Sequence, residues 1–167
     1  LIYQDQPVNA GSGFLLIRSD ASSAPSLVQL ATNAPNSTYF RLNATSSHVV
    51  YNNYNGELYT APISGGNAVM LANNLATNTL DDFILSPDGQ TVVYRTKSDN
   101  VSKVFSVGIH GDSDPVELSL MNTTIFISDI PKFEISPDGA YVVFTFSKNS
   151  ENWQELYAVP IAGGEVK

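Results

Sequence analysis

Along the whole chain, short runs of β-branched and aromatic residues alternate with clusters of Gly, Pro, Asn, Asp and Ser, and this spacing predicts short β-strands separated by turns. Two segments align without a gap: Phe83-Ile84-Leu85-Ser86-Pro87-Asp88-Gly89-Gln90-Thr91-Val92-Val93-Tyr94 and Phe133-Glu134-Ile135-Ser136-Pro137-Asp138-Gly139-Ala140-Tyr141-Val142-Val143-Phe144. A third copy keeps the frame without the turn signature, running from Phe40-Arg41-Leu42 to Ser47-His48-Val49-Val50-Tyr51. Downstream of each copy lies a second strand pattern: Glu57-Leu58-Tyr59-Thr60-Ala61-Pro62-Ile63, Lys103-Val104-Phe105-Ser106-Val107-Gly108-Ile109 and Glu155-Leu156-Tyr157-Ala158-Val159-Pro160-Ile161. Gly-containing turns follow at Gly65-Gly66, Gly111-Asp112 and Gly163-Gly164, and Val69-Met70-Leu71 and Val116-Glu117-Leu118 add a further strand.

Phe40, Phe83 and Phe133 stand 43 and 50 residues apart, close to the length of one four-stranded propeller blade. The expected fold is therefore all-β: a β-propeller of four-stranded antiparallel blades, about four in this chain and incomplete at both ends. With strands named a to d from the axis outward, the expected blades are 1–31, lacking its inner strand, then 38–72, 82–119 and 132–167, whose outer strand is truncated. Residues 1–167 form one propeller region on this scheme. The opening Leu1-Ile2-Tyr3 falls in the middle of a repeat, as a processed protein or a piece of a longer one would show. Such a set of blades is completed by a larger ring or by oligomerisation, for which a homodimer is the simplest case.

The twice-repeated Ser-Pro-Asp-Gly (86–89 and 136–139), each followed by branched residues and an aromatic, resembles the PD40 repeat of TolB-like, WD40-like propellers. The segment from Asn152 through Trp153 to Glu165 is similar to the second half of that repeat. The resemblance implies the propeller fold and, for TolB-type proteins, a bacterial envelope setting and a protein partner. The residues of the motif have structural work. Pro87 and Pro137 preset φ, Asp88 and Asp138 bond to backbone, Gly89 and Gly139 accept positive φ, and Ser86 and Ser136 open the turn. Phe40, Phe83 and Phe133, with Tyr51, Val92 and Val142, are expected between blades.

Composition narrows the function. Eight Lys and Arg against 16 Asp and Glu give a net charge of −8, a surface that repels nucleic acid. Hydrophobic residues at 43% and charged residues at 14% mark a globular chain. There is no cysteine, which excludes disulfides, thiolate metal sites and a cysteine nucleophile. No apolar run is long enough to span a bilayer as a helix. Few lysines and many Asn, Ser and Thr favour the periplasm or the exterior. The sequons at Asn36, Asn43, Asn100 and Asn122 are expected as chance matches in so Asn-rich a chain, with glycosylation the alternative.

No catalytic constellation is expected. The two histidines, His48 in a strand and His110 at a c–d turn, occupy different repeat positions and offer no cluster for zinc. Gly11-Ser12-Gly13 lacks the spacing of a nucleophile elbow. Asp81-Asp82 and Asp112-Ser113-Asp114 lack the further oxygens that calcium requires, so they are expected as solvated turns. No metal or cofactor is expected.

Function is then expected on the variable loops, which in an up-and-down blade are the b–c and d–a connections. These are 52–56, 95–102 and 145–154, together with 72–82 and 119–132. That face is expected to carry Tyr54, Lys97, Asp99, Lys148 and Trp153, a mixture suited to protein contact. The leading expectation is a non-catalytic module binding a protein or peptide. Two others stand beside it: the substrate-filtering propeller of a prolyl-oligopeptidase-like serine peptidase whose catalytic domain is not in this chain, and a structural repeat segment of a large surface protein.

Overall fold

The computed structural model describes residues 2–5, 15–19, 27–30, 39–53, 55–73, 75, 83–98, 101–119, 127–148 and 154–165. Among these there is no helix, and none therefore long and apolar enough to cross a membrane. Fourteen strands form four antiparallel sheets. The first sheet holds β1 (Ile2–Asp5), β2 (Leu15–Ser19) and β3 (Leu27–Gln29). The second holds β4 (Phe40–Leu42), β5 (His48–Asn52), β6 (Leu58–Pro62) and β7 (Val69–Ala72). The third holds β8 (Phe83–Leu85), β9 (Thr91–Ser98), β10 (Val101–Gly108) and β11 (Val116–Glu117). The fourth holds β12 (Ile127–Ile135), β13 (Tyr141–Lys148) and β14 (Gln154–Pro160). Every pairing joins strands consecutive in sequence, the up-and-down order of propeller blades. The four sheets make up part of a propeller.

Both faces of an inner blade are buried, which explains the continuous apolar runs at the b strands. Successive side chains point to opposite faces. In the second blade Val49 and Tyr51 pack toward the first blade with Leu30 and Ala61. Val50, with Leu58 and Leu71, packs the other way against Phe83, Val92, Tyr94, Val107 and Ile109 of the third. The third blade repeats the device: Val93, Val104 and Leu118 meet Ile130, Phe133, Val142, Phe144 and Val159 of the fourth. Burial pushes the phenols of Tyr51 and Tyr94 up to about 12.

One aromatic pair recurs across strands b and c in each of these blades. Tyr51 stacks on Tyr59 at 5.6 Å, Tyr94 on Phe105 at 5.4 Å and Phe144 on Tyr157 at 6.1 Å between ring centroids. Each pair sits directly opposite in the ladder, where cross-strand side chains interact most strongly. The residue two before the c-strand aromatic varies with it. Tyr59 donates its hydroxyl proton to Glu57 Oε2 at 3.0 Å and Tyr157 does the same to Glu155. Phe105 has no hydroxyl to donate, and the corresponding Lys103 instead pairs with Glu117 on the neighbouring strand at 3.1 Å.

The fourth blade shows what an uncovered face looks like. Leu58 and Val104 occupy one repeat position and are fully buried, whereas Leu156 at the same position is 70% exposed. Two strands away in the same sheet the exposed Glu134 and Lys132 form an ion pair of 2.6 Å on strand a.

Candidate functional site

The blades present two rims, and the first carries the a–b and c–d turns. In the third blade Ser86 Oγ accepts the Thr91 N–H at 2.9 Å and donates to Asp88 Oδ1 at 2.5 Å. Asp88 Oδ1 also accepts the Gln90 N–H at 3.0 Å, and the Gly89 N–H donates to the Ser86 carbonyl at 2.8 Å with Gly89 at φ +70°. Ser136, Asp138, Gly139, Ala140 and Tyr141 repeat this set with the same partners. The Ser86 hydroxyl first, and then the Gln90 N–H, hold the Asp88 carboxyl below its usual range. Ser136 and the Ala140 N–H do so for Asp138. These carboxylates are committed to their own turns.

The second blade builds the same turn from other residues. Asn43 takes the place of Ser86, donating its N–H to the His48 carbonyl at 3.1 Å and accepting the Ser46 N–H at 2.8 Å. Ser46 occupies the glycine position at φ 53°. The buried Asn43 side chain replaces both the Ser and the Asp: Oδ1 accepts the N–H groups of Ser47 and His48, each at 2.9 Å. Neighbouring turns stack. A Cβ on Gly89 would lie 2.7 Å from the Ala44 nitrogen, a contact only glycine permits.

Sequence reasoning missed a juxtaposition on this rim. His48, the first residue of β5, and His110, in the c–d turn of the third blade, meet edge to face at 4.8 Å between ring centroids, with an interplanar angle of 77°. The contact crosses the seam between blades, since a–b and c–d turns share one end of the propeller. His48 Nδ1 lies 3.0 Å from Ser47 Oγ. Partial burial first, and then the proximity of His110, push the His48 pKa down. The signal available in the sequence was the shared rim, not the repeat position.

The second rim carries the b–c and d–a connections. Lys97 lies exposed within β9, opposite the buried Ser102. The segment 95–102, assigned above to a loop, is strand on both sides: β9 runs to Ser98 and β10 starts at Val101, leaving two residues between them. β13 likewise continues through the expected loop to Lys148, whose Cα partner is Ile127, and β12 starts at Ile127 rather than at 132. Polar residues continue these strands because a hairpin needs only its backbone ladder once it projects past the packed seam. Tyr54, Asp99 and Trp153 lie outside the described residues, as does the side chain of Lys148. So do Asp81, Asp82 and Gly11-Ser12-Gly13.

Two contacts fix the base of this rim. Arg95, nearly buried, donates from Nη1 to the Ile130 carbonyl at 2.5 Å, tying the third blade to the irregular stretch of β12. Leu75 donates its N–H to the Gly56 carbonyl at 2.7 Å and bridges to Thr96, lacing the second b–c turn to the third blade. Asp112 and Asp114 are exposed. Among the described residues no group of three His, Cys, Asp or Glu side chains could hold a metal ion.

No family model matches the sequence, and no curated protein sequence matches it. Solved structures do match. The chain superposes on a TolB protein from Agrobacterium tumefaciens with a TM-score of 0.54 and 20% identity, covering 92% of this chain and 53% of that one. TolB from Acinetobacter baumannii gives a TM-score of 0.54 and 17% identity over 92% of this chain and 37% of its own. The fold is that of a TolB-like β-propeller. A eukaryotic initiation factor structure superposes equally well, with a TM-score of 0.54, 13% identity, 92% of this chain and 41% of its own, so the TolB-like likeness is one of architecture. This chain spans about half, or less, of the length of each of these three proteins.

Proposed function

We propose that this TolB-like propeller is a non-catalytic module that recognises a protein or peptide through the rim of b–c and d–a connections, in the periplasm or outside the cell. The carrying observation is the asymmetry of the two rims. The a–b turns of the first rim satisfy their polar groups internally, through Ser86, Asp88, Ser136, Asp138 and Asn43. The opposite rim is anchored at Arg95 and Leu75 and sends the β9–β10 and β13–β14 ladders beyond the seams, raising exposed side chains such as Lys97 on a rigid base. With Lys97 the proposed contact surface takes in Tyr54, Asp99, Lys148 and Trp153. Site-specific photocrosslinking in the native compartment tests the reading. A discrete protein adduct from a probe at position 97 and none from one at position 88 is the expected result, and adducts from position 88 alone would assign binding to the turn rim.

The bare face of the fourth blade has its own occupant in this reading. A further blade, from a longer polypeptide or from a second copy, covers Leu156 as blades cover Leu58 and Val104. Sedimentation of this chain alone checks the source. A dimer that Leu156→Asp dissociates identifies a second copy, whereas a monomer assigns the cover to the same polypeptide.

A further inference from the structure

We propose that His48 and His110 form a two-imidazole site for a borderline divalent transition-metal cation, copper(II) being the best fit, across the seam between the second and third blades. Imidazole nitrogen suits copper, nickel and zinc, and copper(II) heads the affinity order for such ligands. The geometry is the first support. With a metal–nitrogen bond of about 2.1 Å and about 1.1 Å more to the ring centre, two imidazoles at tetrahedral or right-angle positions have centroids roughly 4.5–5.2 Å apart. The two rings stand at 4.8 Å, inside that interval, and at 77° to each other.

The surroundings of His48 are the second support. A ligating histidine generally uses its other nitrogen to hold an outer partner, which fixes tautomer and ring orientation. Ser47 Oγ stands 3.0 Å from His48 Nδ1 and is itself held by Asn43 Nδ2 at 3.1 Å and by Thr45 Oγ1 at 2.9 Å. The tautomer with its proton on Nδ1 donates to Ser47 and leaves the Nε2 lone pair for a cation. His110 is exposed on its turn, and a half-turn about its Cβ–Cγ bond exchanges the ring edge it presents while keeping the ring centre in place, 4.8 Å from that of His48. Water fills the remaining positions, as at open metal sites. The net charge of −8 favours cations near the surface.

The partners sit on different blades and are positioned separately. His48 is fixed by the Asn43 turn. His110 is carried by a turn pressed so closely on the second blade that a Cβ on Gly111 would lie 2.8 Å from Val69 Cγ1. A bound cation therefore clamps two blades together and does not merely decorate one of them.

Calorimetry and electron paramagnetic resonance of the intact chain with copper(II) provide the test. One saturable equivalent with hyperfine structure from two imidazole nitrogens is the expected result, together with a raised melting temperature. His48→Gln and His110→Ala should each weaken binding about tenfold or more, and Ser47→Ala about tenfold, the usual cost of losing an outer partner. His110→Ala changes an exposed turn residue and leaves the fold intact, so its result is readable whatever the fate of the other variants. Absence of saturable binding, or binding that survives in the double histidine variant, would overturn the proposal. The former leaves the pair as a packing contact alone, and the latter assigns the copper to carboxylates or the terminal amine.

Discussion

Phe83→Ala should lower the stability of the chain by about 3–5 kcal/mol, the range for removing a buried aromatic side chain from a packed core. Phe83 is fully buried and plugs the seam between blades, packed among Val50, Leu58, Leu71 and Leu75 of the second blade and Tyr94, Val107 and Ile109 of its own. Tyr39 meets its ring edge to face at 5.7 Å. Neither wall can collapse into the vacated space, since each is a sheet held by its own ladder. Denaturant unfolding followed by circular dichroism measures the loss. Val101→Ala, at a position 36% exposed, should stay within about 0.5 kcal/mol of the parent and serves as the control. If the two variants unfolded alike, the seams would not be what holds the blades together.

Asn43→Ala should cost about 2–4 kcal/mol, a large effect for a single turn residue. The side chain accepts two backbone N–H groups and donates from Nδ2 to Thr45, Ser47 and the Gly89 carbonyl of the next blade. Alanine takes the acceptor from the half-buried His48 N–H and the donor from the buried Gly89 carbonyl, and a buried polar group left unsatisfied costs about 1–3 kcal/mol. Asn43→Ser should recover part of the loss, because Ser86 performs the corresponding N–H capture in the third blade. Hydrogen exchange at Ser47 and His48 gives the local readout: strong protection in the parent, fast exchange in the alanine variant. Unchanged protection would mean that the turn is set by its backbone alone.

The repeat was the most legible feature, because the recurrence of Phe40, Phe83 and Phe133 at 43 and 50 residues reflects one physical unit that cannot bury its faces alone. Two turns announced themselves through Ser-Pro-Asp-Gly. The third did not, because Asn43 does with one side chain what Ser86 and Asp88 do with two, and Ser46 accepts the positive φ of Gly89. Strand ends were legible only where buried positions are apolar. At the buried Arg95 and Ser102 they are polar, so the Arg95-Thr96-Lys97-Ser98 segment has no apolar alternation to report, yet its backbone ladder continues against β10. The histidine pair was missed for a different reason: the repeat order places its two turns on one rim, but no local pattern encodes which side chains meet across the seam between blades.

The glycines of the c–d turns also set a dimension of the whole ring. Gly111 rests on Val69 of the preceding outer strand, and Gly163 rests in the same way on Val116, each with room for a hydrogen but not for a methyl group. These contacts lie at the outer radius, while the phenylalanines of strand a hold the inner radius. The difference in thickness between the two radii is the angle by which one blade is rotated from the next. A side chain at either glycine would wedge the outer radius open and enlarge that angular step, so fewer blades would fill a circle. Residues that touch no ligand thus help count the sides of the polygon.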